Sequence, residues 1–122
     1  MTDPFMETLG LKVRHLAPGE AVVAGVVGEG HLNLHGTVHG GFLYALADSA
    51  FALASNSRGP AVALSCRMDY FRPLLPGAEV EARAKEVNLS RRTATYQVEL
   101  LSEGKAIALF TGTVFRLGGE EG

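Results

Sequence analysis

Apolar and polar positions divide this chain into one long helix and a series of strands. Between Gly40 and Asn56 nearly every residue is apolar or small, which predicts a helix that is buried on all sides. After this segment, apolar and polar residues alternate with a period of two, which is typical of half-buried strands. The predicted strands are 62–71, 79–85, 93–100 and 106–115, the last of them apolar on both faces as in the interior of a sheet.

The residues before the long helix supply further elements. We expect a short helix over Pro4–Leu9 and a strand over 21–27, where Gly25 indicates a bulge or a close backbone approach. A sheet that curls around an apolar helix buries both, so an α+β fold is predicted, with 1–117 as one domain and 118–122 as a disordered tail. The order of elements resembles the hotdog fold, a curved antiparallel sheet of five to six strands wrapped around one long central helix. Its exposed sheet edges favour a homo-oligomer.

Composition and charge are those of an ordinary globular protein. The 122 residues are 47% hydrophobic and 20% charged, with a formal net charge of -2, which gives no indication of binding to nucleic acid or to an anionic membrane. The one cysteine, Cys66, cannot form an internal disulfide, so a structural thiol in a reducing, cytoplasmic setting is expected. The N-terminus shows no signal peptide, and no apolar run reaches the roughly eighteen residues of a membrane span.

Asp48 lies in the middle of the apolar helix and is the first candidate for chemistry. A buried carboxylate is costly unless it is paired, so it either has a structural partner, such as Ser49, Ser55 or an arginine, or serves a reaction. Gly40 and Gly41 at the start of the helix offer backbone N–H groups with no Cβ to obstruct a ligand, although they also suit a simple helix start. A donor pair and a carboxylate are together the two halves of an acyl-transfer site.

The spacing of these groups predicts a site shared between subunits. Gly41 and Asp48 are about two helical turns apart, which corresponds to roughly 10 Å at 1.5 Å per residue. One chain therefore holds the donor and the acid too far apart for direct chemistry. We expect each site to combine groups from two copies of the chain.

Three motifs stand out in the chain: NLHGTVHGG at 33–41, LADSA at 46–50, and DYFRP at 69–73 with Pro-Gly at 76–77. They resemble those of the PaaI-type hotdog thioesterases, the acyl-coenzyme A hydrolases of phenylacetate degradation. The pairing of HGG with LAD at this spacing is the specific part, and the similarity extends over almost the whole chain. The resemblance implies hydrolysis of a coenzyme A thioester without metal or cofactor, since coenzyme A is part of the substrate. It also implies a homodimer that assembles into a homotetramer.

The resemblance further implies roles for individual residues. Asp48 is the base or nucleophile, the N–H of Gly41 polarises the thioester carbonyl, and Asn33 and His39 shape the site. Ser65 is the nearest candidate for the hydroxyl that holds water in some relatives. From the residues alone, Asn33 is equally suited to a turn and His39 to a helix cap.

Substrate binding is expected to involve Gly40, next to the donor, and local cations. Coenzyme A is polyanionic whereas the chain is slightly acidic, and guanidinium groups suit phosphate oxygens. Arg72 is one candidate, and the others are the turn residues Ser90, Arg91 and Arg92. A solvated turn with no ligand explains the same residues.

Other interpretations stay open. His31, His35 and His39 recur every four residues, as metal ligands on a helix would, but their Gly- and Asn-containing segment favours a loop with no spaced carboxylate or cysteine to complete a site. A hotdog dehydratase or hydratase would use a loop histidine such as His35 or His39. A non-catalytic acyl-coenzyme A sensor would not need Asp48 and would require a fused DNA-binding segment.

The aromatic residues give an indication of the acyl group of the substrate. Four of them are placed where they could line an aryl pocket, namely Phe42, Tyr44, Phe51 and Phe71. By analogy with the family, this favours a phenylacetyl or hydroxyphenylacetyl thioester. Packing in the core is the default explanation of the same residues.

Overall fold

The computed structural model describes residues 2–118. Within this range the chain forms two α-helices, six β-strands and a 3₁₀ turn at Glu29–His31. The helices and strands are α1 (Pro4–Leu9), β1 (Lys12–Ala17), β2 (Glu20–Val26), α2 (Gly40–Asn56), β3 (Ala61–Tyr70), β4 (Glu79–Leu89), β5 (Thr93–Ser102) and β6 (Lys105–Arg116). The predicted bounds of both helices are confirmed. The predicted tail at 118–122 lies, apart from its first residue, outside the described residues.

The six strands form one antiparallel sheet in the order β1-β2-β4-β5-β6-β3. α2 connects β2 to β3, which lies on the far side of the sheet. The arrangement of six strands and one long helix confirms the predicted fold class. Within residues 2–118, neither helix combines the length and the apolar character needed to cross a membrane.

The core lies between α2 and one face of the sheet. Alternate residues of β4 and β5 point to the helix, among them Ala82, Ala84 and Ala94, whose small side chains let α2 approach the sheet. The large rings of Phe51, Tyr96 and Phe110 fill the space next to them. All three rings are buried.

Two glycines mark close approaches inside this core. A Cβ at Gly25 would lie 2.8 Å from Cδ2 of Leu11, which confirms the close backbone approach expected in this strand. A Cβ at Gly112 in β6 would lie 2.7 Å from Cζ of Phe51 on α2. These distances are shorter than any relaxed carbon contact, so the core has no spare volume at these two points.

One side of α2 is uncovered in a single chain, although its residues indicate a helix that is buried on all sides. Gly41, Asp48, Ala52 and Asn56 are exposed and recur at helical spacing, so they form one stripe along the helix. Asp48 is therefore exposed in a single copy of the chain, and the prediction of a buried Asp48 was wrong for that copy. The inner face of the sheet covers one side of the helix. Small or apolar residues on the other side look the same in the sequence whether or not a second chain covers them.

The edge strand β3 contacts the first half of α2 through Tyr70 and Cys66, and within residues 2–118 it pairs with β6 alone. It is ten residues long and exposes large apolar side chains, with Val62 50%, Leu64 59% and Tyr70 51% exposed. A long, apolar edge with unpaired backbone groups is a template for pairing with another strand. The uncovered stripe and the open edge are therefore two candidate contact regions for a second copy.

We expect Gly112→Ala to destabilise the protein by about 1–3 kcal/mol, because the added methyl group would overlap the ring of Phe51 in a core without spare volume. Chemical unfolding at one fixed protein concentration measures this effect. Gly30→Ala is the matched control, since a Cβ at Gly30 meets nothing within 4 Å. Equal stability of the two variants would show that the Gly112 contact is not a packing constraint.

Candidate active site

The first turn of α2 contains two backbone N–H donors, of which one is hydrogen-bonded and the other is open. His39 is the N-cap residue, and its Nδ1 accepts a hydrogen bond of 2.8 Å from the N–H of Gly41. The N–H of Gly40 has no hydrogen-bond partner among residues 2–118. The exposed start of the helix therefore carries one open donor and a second donor that is occupied by a side chain able to rotate. The Nδ1 acceptor role indicates that the ring proton of His39 lies on Nε2.

Asn33 organises the loop that leads into this turn. Its Oδ1 accepts hydrogen bonds from the backbone N–H groups of His35 at 2.8 Å and Thr37 at 3.2 Å. Its Nδ2 donates to the hydroxyl of Thr37 at 3.0 Å and to the carbonyl of Val38 at 3.3 Å. Both ends of the amide are thus engaged within the loop, so Asn33 positions the residues that precede α2.

A cleft of about 280 Å³ opens beside the first turn of α2. It brings together four residues that the sequence singled out, Asn33, Gly40, Arg72 and the aromatic residue Phe71. The remaining lining residues are Thr37, Val38, Leu43, Tyr70 and Pro73. Tyr70 was not predicted as a site residue, and its hydroxyl donates a hydrogen bond of 3.1 Å to the carbonyl of Gly40. In the sequence, only its place in the DYFRP motif indicated that Tyr70 could belong to the site.

Asp48 lies two turns beyond this cleft on the exposed stripe of α2. Among residues 2–118, no group donates a hydrogen bond to its carboxylate or forms an ion pair with it. The hydroxyls of Ser49 and Ser55, its proposed structural partners, donate instead to carbonyls of their own helix. The pKa of Asp48 is raised, first by partial burial and second by the negative charge of Asp3. The carboxylate is therefore a stronger base than a solvated aspartate.

Tyr44 on α2 lies near Asp48 and is hydrogen-bonded to Cys66 on β3. Burial first, and then a hydrogen bond with the thiol of Cys66, raise the pKa of Tyr44 to about 12. The phenol is therefore protonated and neutral at physiological pH. Cys66 is partly buried and packs against the core, as expected of a structural thiol.

Ser65 and the arginine turn lie away from the first turn of α2 in the same chain. Ser65 pairs with Thr113 on β6, on the sheet face that points away from the helix. The turn at 90–92 is held by Arg116, whose Nη1 donates to the carbonyl of Ser90 at 2.8 Å and whose backbone N–H donates to the carbonyl of Arg92 at 2.7 Å. The residue after Arg116 bonds to Pro60, just beyond the C-terminal end of α2. A helix of 17 residues, roughly 25 Å long, separates this turn from Gly40.

The three loop histidines do not converge. Nδ1 of His31 accepts a hydrogen bond of 2.9 Å from the N–H of Gly28, and its ring stacks on Phe42 at 4.1 Å between centroids. His39 caps α2. In the part of the chain that the structure describes, no group of three or more His, Cys, Asp or Glu residues could hold a metal ion.

Over most of its length the chain is similar to known thioesterases. Residues 35–109 match the family model described as the thioesterase superfamily. The acyl-coenzyme A thioesterase PaaI of Escherichia coli K12 is 39% identical over 119 residues, which cover 96% of this chain and 85% of that protein.

Solved structures from Thermus thermophilus are more similar still. The TT0310 protein has a TM-score of 0.94 at 85% identity and covers 96% of this chain and 100% of its own. A mutant N33D structure of the phenylacetic acid degradation protein PaaI has a TM-score of 0.94 at 84% identity, covering 94% and 100% of the two chains. The predicted hotdog fold and the resemblance to PaaI are thereby confirmed. The chain belongs to the thioesterase superfamily, among the relatives of PaaI.

Proposed function

We propose that the protein hydrolyses an acyl-coenzyme A thioester at a site built by two copies of the chain. The observation that carries the proposal is a pair of unpartnered groups along α2, the open N–H of Gly40 at its start and the unpaired carboxylate of Asp48 on its exposed stripe. A thioester has a good leaving group, so one oxyanion donor, one base and one water suffice for its hydrolysis. Membership of the thioesterase superfamily supports this class of reaction.

The distance along α2 supports the participation of a second copy. Gly40 and Asp48 are separated by about 12 Å of helix, whereas a donor and a base that act on the same carbonyl must each lie within about 3 Å of the reacting atoms. Antiparallel pairing of two β3 edges would lay two α2 helices side by side in opposite directions. The start of one helix would then face the middle of the other. Such a dimer would also cover the exposed stripe.

In the proposed reaction, the thioester carbonyl oxygen accepts a hydrogen bond from the N–H of Gly40. Asp48 of the second copy removes a proton from a water molecule, whose oxygen attacks the carbonyl carbon. The tetrahedral intermediate carries its negative charge on the oxygen that the helix start holds. Its collapse breaks the C–S bond and expels the thiolate, which takes a proton and leaves as coenzyme A. Direct attack by Asp48, through an anhydride that water then hydrolyses, uses the same geometry.

Gly41 can supply a second backbone donor when its hydrogen bond to His39 opens. The N–H of Gly41 is the donor that the sequence predicts, and it becomes available when the ring of His39 turns away. Two N–H groups would then point at the oxyanion, as at other helix starts that bind negative charge. The donor role of Gly41 stays a prediction.

The same dimer would bring the arginine turn to the site. Arg91 and Arg92 lie near the C-terminal end of α2, which in this antiparallel pair would extend about 12 Å beyond the first turn of the other helix, where the nucleotide end of a bound coenzyme A could lie. Two adjacent guanidinium groups suit the phosphates of coenzyme A, and Arg72 at the cleft supplies a third. Arg116 supports this role because it fixes the backbone of the turn.

The aromatic lining of the site supports an aryl acyl group. Tyr70 and Phe71 line the cleft, and Tyr44 lies between the cleft and Asp48. We therefore take phenylacetyl- or hydroxyphenylacetyl-coenzyme A as the substrate, and the name of the Thermus relative, a phenylacetic acid degradation protein, supports this choice. A further pairing of two dimers into a tetramer and a cytoplasmic location complete the proposal.

Replacing Asp48 by Asn should lower kcat/KM by about 10²–10⁴-fold, because the nearly isosteric amide cannot accept the proton of water. Release of coenzyme A from phenylacetyl-coenzyme A, followed with a thiol-reactive dye, measures the loss. Glu99→Gln is the control, since Glu99 is an exposed carboxylate on β5, in the interior of the sheet and away from the β3 edge. Near-normal turnover by Asp48→Asn would exclude the base and nucleophile roles.

The pH dependence of kcat/KM tests the same residue. Asp48 acts when ionised, so activity should be full above its raised pKa and should fall as the pH drops through it, at a higher pH than for an ordinary aspartate. Asp3→Asn removes the nearby negative charge and should move this acid limb to lower pH. An acid limb that Asp3→Asn leaves in place would mean that a different group controls the profile.

Replacing both Arg91 and Arg92 by Ala should raise KM for the coenzyme A thioester and weaken its salt dependence, because phosphate contacts act on binding. Hydrolysis of the matching N-acetylcysteamine thioester, which lacks the nucleotide, should be spared. Arg83→Ala, on the outer face of the sheet beside Glu81, is the control. Equal damage to both substrates would contradict a phosphate-binding role.

Mixing two inactive variants tests the shared site. Subunits with Asp48→Asn and subunits with Gly40→Val should each be inactive alone, yet mixed dimers regain one intact site from the native Gly40 of one chain and the native Asp48 of the other. After complete exchange at equal amounts, about a quarter of native activity should return. If mass spectrometry shows mixed dimers and no activity appears, each site belongs to a single chain.

A further inference from the structure

We infer that Tyr70 is a positioning residue of the thioester site, which it serves by holding the Gly40–Gly41 peptide at the start of α2. The inference rests on the proposed function, because it concerns the donors assigned there. Tyr70 is the last residue of β3, and Gly40 is the first residue of α2. The residue therefore ties the open edge of the sheet to the end of the helix at which the thioester carbonyl is proposed to bind.

Two contacts define this link. The hydroxyl of Tyr70 donates a hydrogen bond of 3.1 Å to the carbonyl oxygen of Gly40. The ring also lies against the Cα of the glycine, since a Cβ at Gly40 would be 3.3 Å from both Cζ and Oη. The side chain thus restricts Gly40 by a hydrogen bond and by contact, at a position where a larger residue would displace the ring.

The peptide that Tyr70 holds is hydrogen-bonded at both ends. Its carbonyl oxygen belongs to Gly40, and its N–H belongs to Gly41, which donates to Nδ1 of His39 at 2.8 Å. Two successive glycines allow many backbone conformations, so an unanchored turn would present its donors in several directions. The bond from Tyr70 removes this freedom before substrate arrives.

The bond also affects donor strength. A hydrogen bond to the oxygen of a peptide group polarises the group and strengthens the bond made by its N–H. When a thioester oxygen replaces His39 at Gly41, the donor is thus oriented and polarised in advance, which is the condition under which an oxyanion site lowers a barrier. Burial raises the pKa of Tyr70, so the hydroxyl keeps its proton and its donor role at neutral pH.

Tyr70→Phe removes the hydroxyl and keeps the ring, so it isolates the hydrogen bond. We expect kcat for phenylacetyl-coenzyme A to fall about five- to tenfold with KM unchanged, because the loss concerns a donor that acts more strongly on the transition state than on the bound substrate. The amide ¹⁵N resonance of Gly41 should move in the ligand-free protein, because its peptide carbonyl loses a donor. Thermal stability should stay at the native value.

Tyr96→Phe is the matched control, since it also deletes one phenol hydroxyl, which donates to Glu86 at 2.9 Å in the core. We expect this variant to lose stability and to keep kcat and the Gly41 resonance. Unchanged kcat in Tyr70→Phe would overturn the inference, and so would a joint loss of stability and kcat like that of a core defect. If the native protein cleaves no acyl-coenzyme A thioester, the proposed function fails by itself, and the Gly41 resonance then decides whether Tyr70 holds the peptide.

Discussion

The packing of α2 against a single sheet face is the constraint on which the rest of the structure depends. A sheet of six strands covers one side of a helix, and the small residues on its inner strands let the helix approach closely, as the Gly112 and Phe51 contact shows. The other side of the helix stays uncovered in one chain. The stripe that contains Gly41, Asp48 and Ala52 is consequently available to chemistry and to a second copy.

This arrangement distributes the candidate site among three regions of each chain. The donors lie at the start of α2, where the loop held by Asn33 and the side chain of Tyr70 determine their direction. The carboxylate lies at the middle of the helix, and the arginine turn lies near its end. Because a helix is rigid, no side-chain movement can bring these groups together within one chain. Association is therefore part of the proposed chemistry, and the open β3 edge is the surface that suits it.

The hydrogen bonds of the loop residues identify their roles better than their residue types do. Asn33 and His39 were expected to shape the site, and both accept hydrogen bonds from backbone N–H groups, in the loop before α2 and in its first turn. A polar side chain next to a reaction site commonly serves by fixing the groups that react. The same physical logic applies to Tyr70, which the sequence placed in a motif without indicating its partner.

The sequence by itself determined the elements of this protein and the residues that could react. Periodicity predicted the bounds of α2 and the alternating strands, because helical and extended backbones repeat at different intervals. The motifs around Gly40 and Asp48 indicated the family, which was confirmed. Only the tertiary structure decided that Asp48 is exposed in one chain and that His39 occupies the N–H of Gly41. It also placed Ser65 on the outer face and Tyr70 on Gly40, since burial and pairing depend on contacts between segments distant in sequence.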